Sequence, residues 1–199
     1  HEDYDNIENL ASEPASAQTI QAMRGALRAW QLEIFDSGFI PEDDMNRLAS
    51  AQELTVYDYV RDPELYPLED YIDLADLTLE MDASNLNRFV AGLGHADLGI
   101  RYWSTLGILN LTLVGDAANS PAVKSALLNK LADDQESQVI RSYMAWILIR
   151  IGEREAGFAF LEQQITKTYT SRTVLNILDW MDQPEAIALI VKNYLSASQ

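Results

Sequence analysis

Apolar residues along this chain recur at helical spacing, and the strict alternation of a half-buried strand is not seen. Residues 1–15, with Ser12 and Pro14 among acids, read as an extended lead-in. Ile20, Met23, Leu27, Trp30 and Ile34 then step by 3, 4, 3 and 4, so one helix carries all five on a single stripe, with Arg24, Arg28, Gln31 and Glu33 elsewhere. Asp36-Ser37-Gly38 supplies the stop, with Gly38 as the residue able to turn left-handed. Pro41 followed by Glu42, Asp43 and Asp44 reads as a first helical turn with acids at the positive end of the dipole. Ser50-Ala51-Gln52-Glu53 has capping-box spacing and predicts a short helix with Val56, Tyr57 and Val60, closed by Asp62-Pro63. Leu68, Ile72, Ala75 and Leu79 set a third helix over about Pro67 to Met81.

From Asn85 onward the pattern changes to short helices in pairs joined by brief turns. Leu86, Phe89, Val90 and Leu93 make one helix, and after His95-Ala96-Asp97 a second carries Ile100, Trp103 and Leu106 up to the stop at Gly115. Ser120-Pro121 opens the next pair with Val123, Leu127, Leu128 and Leu131, and its partner runs from Val139 to Ile151 before Gly152. Phe158, Leu161 and Ile165 mark a third first-helix; after Thr170-Ser171 its partner holds Val174, Leu175, Leu178 and Trp180, and Pro184 starts a last helix. Ile100-Arg101-Tyr102-Trp103 and Ile140-Arg141-Ser142-Tyr143 lie 40 residues apart, each after an acid-rich turn. One amphipathic pair cannot bury its face alone, so such a repeat predicts stacking. The expected fold is all-α: a helical connector over 16–82 and a short α-solenoid over 83–199, with pairs about 85–115, 120–152 and 154–182. A capping helix over 184–196 closes the expected array.

Charge refines this division. The 199 residues hold 31 acids against 14 bases, a net of -17, which repels nucleic acid and anionic lipid. Residues 1–80 carry a net of -15 and residues 81–199 only -2, which suggests two modules. No apolar run approaches the roughly 20 residues of a bilayer span, and neither nucleic acid nor membrane is an expected partner. With no cysteine there is no thiolate chemistry or disulfide. His1-Glu2-Asp3 does not begin with Met, which fits a processed protein or a piece of a longer one.

Catalytic or metal-binding residues are hard to assemble from this inventory, and no cofactor is expected in the chain. His1 and His95 are the only histidines, and His95 sits in a turn with no nucleophile at a readable spacing. Asp43-Asp44 and Asp133-Asp134 do not follow the order of a calcium loop and read as helix starts. Gly92, Gly94, Gly99 and Gly107 follow no strand, so helix ends and close helix packing account for them. Arg101 and Arg141 recur at one position of the pairs, which points to a structural job: bonds to carbonyls or to an acid such as Asp97 or Glu136, tying repeat to repeat. Trp30, Trp103, Trp146 and Trp180 fall on apolar stripes and are expected in packing. Tyr57, Tyr59, Tyr66 and Tyr71 cluster in the acidic connector; Tyr57, Tyr59 and Tyr66 are the candidate partner surface.

The run Asp97-Leu98-Gly99-Ile100-Arg101-Tyr102-Trp103 resembles HEAT-like repeats. Upstream, Met23-Arg24-Gly25-Ala26-Leu27-Arg28-Ala29-Trp30 and Asp36-Ser37-Gly38-Phe39-Ile40-Pro41-Glu42 resemble the end of the catalytic region in bacterial sulfatases of the arylsulfatase type, with Tyr57-Asp58-Tyr59 and Tyr66-Pro67-Leu68-Glu69 similar to the connector that joins it to such repeats. The resemblance covers the non-catalytic tail. It implies an exported or periplasmic parent that hydrolyses sulfate esters, on sulfated carbohydrate, with a formylglycine and calcium upstream. The formylglycine motif, Cys-x-Pro-x-Arg or Ser-x-Pro-x-Arg, has no counterpart here, since Ser12-Glu13-Pro14-Ala15-Ser16 lacks the Arg. The expected function is interdomain packing or assembly; the alternative is a free-standing helical-repeat module for protein–protein interaction. The expected partners are the parent's catalytic domain or another protein, with oligomers possible.

Overall fold

The structure, a computed structural model, describes residues 9–167 and 171–197. Among these, every regular element is helical. Two 3-10 turns at Leu10–Ser12 and Pro14–Ser16 lead into α1 (Ala17–Ile34), α2 (Glu42–Ala51), α3 (Val56–Tyr59) and α4 (Leu68–Leu79). Then follow α5 (Leu86–Gly92), α6 (Leu98–Val114), α7 (Pro121–Ala132), α8 (Gln138–Arg150), α9 (Arg154–Gln164), α10 (Ser171–Met181) and α11 (Pro184–Ala197). Thr170, in the turn expected before α10, lies outside the described residues, as does most of the lead-in.

The helices pack as a row. α4 lies on α6, α6 on α8, α8 on α10 and α10 on α11, while α5 packs beside α6, α7 beside α8, and α9 against both α8 and α10. The buried side chains form one continuous core from Phe39 to Ala186. α8 is buried on most of its circumference, through Val139, Ile140, Met144, Ala145, Ile147, Leu148 and Ile149, because it has helices on several sides. Close approach in the row depends on glycine. A Cβ on Gly99 would stand 2.5 Å from the ring of Tyr71, and one on Gly107 would stand 2.5 Å from the ring of Phe89.

Side-chain caps start α6, α7 and α8. Asp97 accepts from the amide of Ile100, Ser120 from that of Val123, and Ser137 from those of Val139 and Ile140. Each satisfies an amide that the helix itself leaves unpaired.

Three expectations are corrected. Gly38 does not turn left-handed: Phe35 does, with φ 53° and ψ 58°, its amide bonded to the carbonyls of Gln31 and Leu32. The guanidinium of Arg61 lies over the Phe35 ring at 4.6 Å, a stacking contact that helps hold this costly conformation. Ser50 and Ala51 end α2 rather than opening a helix; the cap belongs to Thr55, which accepts from the amide of Asp58 and donates to its carboxylate. Trp103 and Trp146 pack against the core, but Trp30 and Trp180 are 56% and 78% exposed, because periodicity marks an apolar face without saying what covers it. The last helix, α11, packs on α10, with Ile187 and Val191 about half exposed on its other side.

Candidate functional site

The chain after α1 forms a joint. Asp36 accepts from the amide of Gly38, its carbonyl accepts from the Tyr66 hydroxyl at 2.8 Å, and the carbonyl of Phe39 accepts from the Trp103 indole at 2.9 Å. The Phe39 and Trp103 rings lie 5.7 Å apart. Beyond Pro41, the buried carboxylate of Asp44 accepts a 2.5 Å hydrogen bond from the Ser137 hydroxyl, 93 positions along the chain, and pairs with Arg47 at 3.0 Å. Connector and paired helices therefore share buried polar contacts as well as apolar ones.

The tyrosines divide. Tyr57 is exposed and carries the guanidinium of Arg61 over its ring at 3.5 Å. Tyr59 and Tyr66, expected on a partner surface, are instead buried, together with Tyr71. Their rings meet edge to face, Tyr59 with Tyr66 and Tyr66 with Tyr71, so the cluster is an aromatic wedge between the connector and α6. The hydroxyl of Tyr71 donates to Asp97 at 2.8 Å. Burial, aided by the Asp97 charge, raises the Tyr71 hydroxyl well above the usual phenol range, and burial alone is the main cause of the rise at Tyr66 and Tyr59. None of the three offers a ring to a partner.

Asp97 caps α6, and Arg101 and Arg141 lie near the starts of α6 and α8. Both Asp97 oxygens are used, one by the Ile100 amide and one by Tyr71, so this carboxylate is not a partner of Arg101. Arg101 instead spans two pairs. Its Nε and one terminal nitrogen donate to the two oxygens of Glu136, at 2.7 and 3.0 Å, and the other terminal nitrogen donates to the carbonyls of His95 and Ala96, both at 2.8 Å. The Glu136 side chain is 1% exposed and also accepts from the Ser137 amide at 2.9 Å. Arg141 donates to the carbonyl of Leu131 at 2.8 Å and stacks over Phe160 of the following pair. The 40-residue spacing of the sequence thus corresponds to a repeated bracing role, although the acceptors differ. Arg150 adds a third brace that no repeat signalled, bonding the hydroxyl and carbonyl of Thr112 at 2.7 and 2.8 Å.

A cleft of about 610 Å3 opens between α2 and the turn before α8, lined by Asp43, Asp44, Arg47, Asp134, Glu136 and Ser137 among others. Its inner carboxylates are already committed, Asp44 to Ser137 and Arg47, Glu136 to Arg101. The Ser137 hydroxyl caps α8 and donates to Asp44, and the described histidine, His95, lies in another turn, where its Nδ1 accepts from the Asp97 amide. Among the described residues, no group of three or more His, Cys, Asp or Glu is arranged to hold a metal ion.

The surfaces are the remaining candidates. α1 buries none of its residues: Met23, Leu27, Trp30 and Ile34 are 68%, 50%, 56% and 42% exposed along one stripe. Only its flank is engaged, through Arg28, which pairs with Asp73 at 2.6 Å, and Leu32, which touches the core. The second apolar surface is at the far end of the row, on α11. No described helix is long and apolar enough to cross a membrane. Comparison with protein-family models, curated proteins and solved structures finds no match for this chain.

Proposed function

We propose that this chain is the non-catalytic part of a sulfatase-like hydrolase, packing against a catalytic domain and positioning it through an array of HEAT-like helix pairs. The observation that carries the reading is the uncovered stripe of α1. Four large apolar side chains on one exposed helix face are the mark of an interface. Covering them would contribute on the order of several kcal/mol.

Two further observations support the reading. The stretch Asp36 to Glu42, which resembles the end of a sulfatase catalytic region, is bonded to the rest of the connector through Tyr66 and to the paired helices through Trp103. The row of α4, α6, α8 and α10, with α5, α7 and α9 beside it, and the equivalent positions of Asp97 with Arg101 and Ser137 with Arg141, fit stacked HEAT-like pairs. The parent reaction, hydrolysis of sulfate esters on a sulfated carbohydrate by an exported enzyme, rests on the resemblance alone.

The coding sequence ahead of His1 tests this directly. An upstream reading frame with a Cys-x-Pro-x-Arg or Ser-x-Pro-x-Arg motif supports the proposal, and a start codon adjacent to His1 overturns it. In the parent protein, L27D with W30D should lower the unfolding midpoint and reduce sulfatase activity, while the 199-residue chain alone should hydrolyse no aryl sulfate. The alternative of a free-standing interaction module is favoured by the second exposed apolar face, on α11. A specific partner captured at micromolar concentration by the 199-residue chain, with no upstream motif, would decide for it.

A further inference from the structure

We infer that the outer face of α11 is a self-association surface through which two copies of this chain pair antiparallel about a two-fold axis. The inference goes beyond the role proposed for α1 and uses a different surface.

Three features of α11 carry it. Pro184, Ile187, Ala188 and Val191 line a shallow, mostly apolar groove along the helix, and Ile187 and Val191 are 51% and 49% exposed. Trp180, at the end of α10 just before this helix, is 78% exposed. Such a face at the end of a helical row leaves a further layer to be added.

Charge identifies the layer as a second copy. The chain has a net of -17, but -15 of it lies in residues 1–80, so two copies meet with least repulsion at the end farthest along the chain. The face is also self-complementary. Glu185 and Lys192 are seven positions apart, hence on the same flank of the helix, with the acid at one end of the groove and the base at the other. When two such helices lie face to face and antiparallel about a two-fold axis, each flank meets the same flank of its mate with its direction reversed. Glu185 of one copy then stands opposite Lys192 of the other, and this happens twice, while Ile187 of each copy approaches Val191 of its mate. Both charged side chains are free enough to do this: Glu185 is paired with Arg154 and Lys192 with Glu162, but all four side chains are substantially exposed. A parallel pairing would put this flank of the two copies on opposite sides of the contact and make neither cross-copy pair.

One helix face from each copy is at the small end of specific interfaces, so the dimer is weak and dependent on concentration. Sedimentation equilibrium of the 199-residue chain over a concentration series should show a reversible monomer–dimer equilibrium. V191E should abolish the dimer while leaving the circular dichroism spectrum and unfolding midpoint unchanged. E185K should weaken it about ten-fold by turning both cross-copy pairs into repulsions, and E185K with K192E should recover much of that loss, although the swap also sets like charges beside Arg154 and Glu162. L27E with W30E, on α1, should leave it intact. A chain that stays monomeric up to millimolar concentration overturns the proposal and gives the face to another occupant. So does a dimer that survives V191E, or one lost in the α1 variant. None of these outcomes bears on the sulfatase reading, which stands or falls on the sequence ahead of His1.

Discussion

The hydroxyl of Tyr71 donates to the Asp97 carboxylate at 2.8 Å while its ring fills the notch that Gly99 leaves on α6. Three residues from two helices thus make a single contact, and changes to it should not add. G99A puts a methyl 2.5 Å from the ring and should destabilise the fold by about 1–3 kcal/mol through overpacking. Y71F removes the hydrogen bond and leaves one Asp97 oxygen without its donor, at a cost of about 1–2 kcal/mol. Y71A in the G99A background frees the space that the methyl needs, so the double variant should lose less than the two single losses combined. Urea unfolding of the wild type, G99A, Y71A and the double variant measures the coupling, and Y71F is measured beside them.

Alkaline pH should unfold the protein cooperatively. The hydroxyls of Tyr59, Tyr66, Tyr71, Tyr102 and Tyr143 are all raised above their ordinary value of 10.0, in each case chiefly because burial penalises the phenolate. For a group raised in the folded state, the stabilisation is fully present below the unfolded value and is lost as pH rises past it. Stability should therefore hold up to about pH 10 and fall steeply above it. Tyrosinate absorbance should rise in step with the loss of helical circular dichroism. A smooth titration of all tyrosines with the helices intact would show that the buried phenols are accessible after all.

The Arg101–Glu136 pair should behave as a buried pair does. R101M leaves the Glu136 carboxylate, 1% exposed, without its main partner and should cost about 3–5 kcal/mol. E136L strands the guanidinium less severely, because Arg101 keeps the His95 and Ala96 carbonyls and is 15% exposed. R101M combined with E136L should recover a large part of the first loss. R101K should not rescue, since an ammonium cannot hold both carboxylate oxygens and two carbonyls in one plane. A thermodynamic cycle from denaturant unfolding reads the coupling.

Two tryptophans should respond in opposite ways. W103F removes the indole bond to the Phe39 carbonyl and should cost about 1 kcal/mol or more, with faster proteolysis between α1 and α2. W30Q alters a side chain that is 56% exposed and should change the stability of the 199-residue chain by no more than about 0.5 kcal/mol. Limited proteolysis and unfolding midpoints compare the two.

What could be read from the sequence follows the range of the physics. The helices of the pairs lie where the periodicity sets them, because caps such as Ser120 and Ser137 and the left-handed Gly152 act within a few residues. The recurrence of an arginine at Arg101 and Arg141 also pointed to a bracing role with a carbonyl or an acid, and Arg101 finds both, in Glu136 and the His95 and Ala96 carbonyls. Burial of the connector was not. Tyr59 and Tyr66 sit in an acidic, polar-looking stretch, and only the packing of the connector on α6 turns their rings inward. Asp44 looks like one of three acids in a first helical turn, and nothing near it in the chain indicates Ser137 as its partner. Conversely, the stripe of α1 was plain in the sequence and its exposure was not, because periodicity describes a helix without describing its neighbours.

Phe35 gives that exposed helix a different significance. A non-glycine residue in the left-handed region, held under the Arg61 guanidinium, fixes the direction in which α1 leaves the rest of the molecule even though α1 buries almost nothing of its own. A helix that protrudes on a rigid elbow reaches whatever covers it already aligned. Docking of a partner on Leu27 and Trp30 would then cost little orientational entropy.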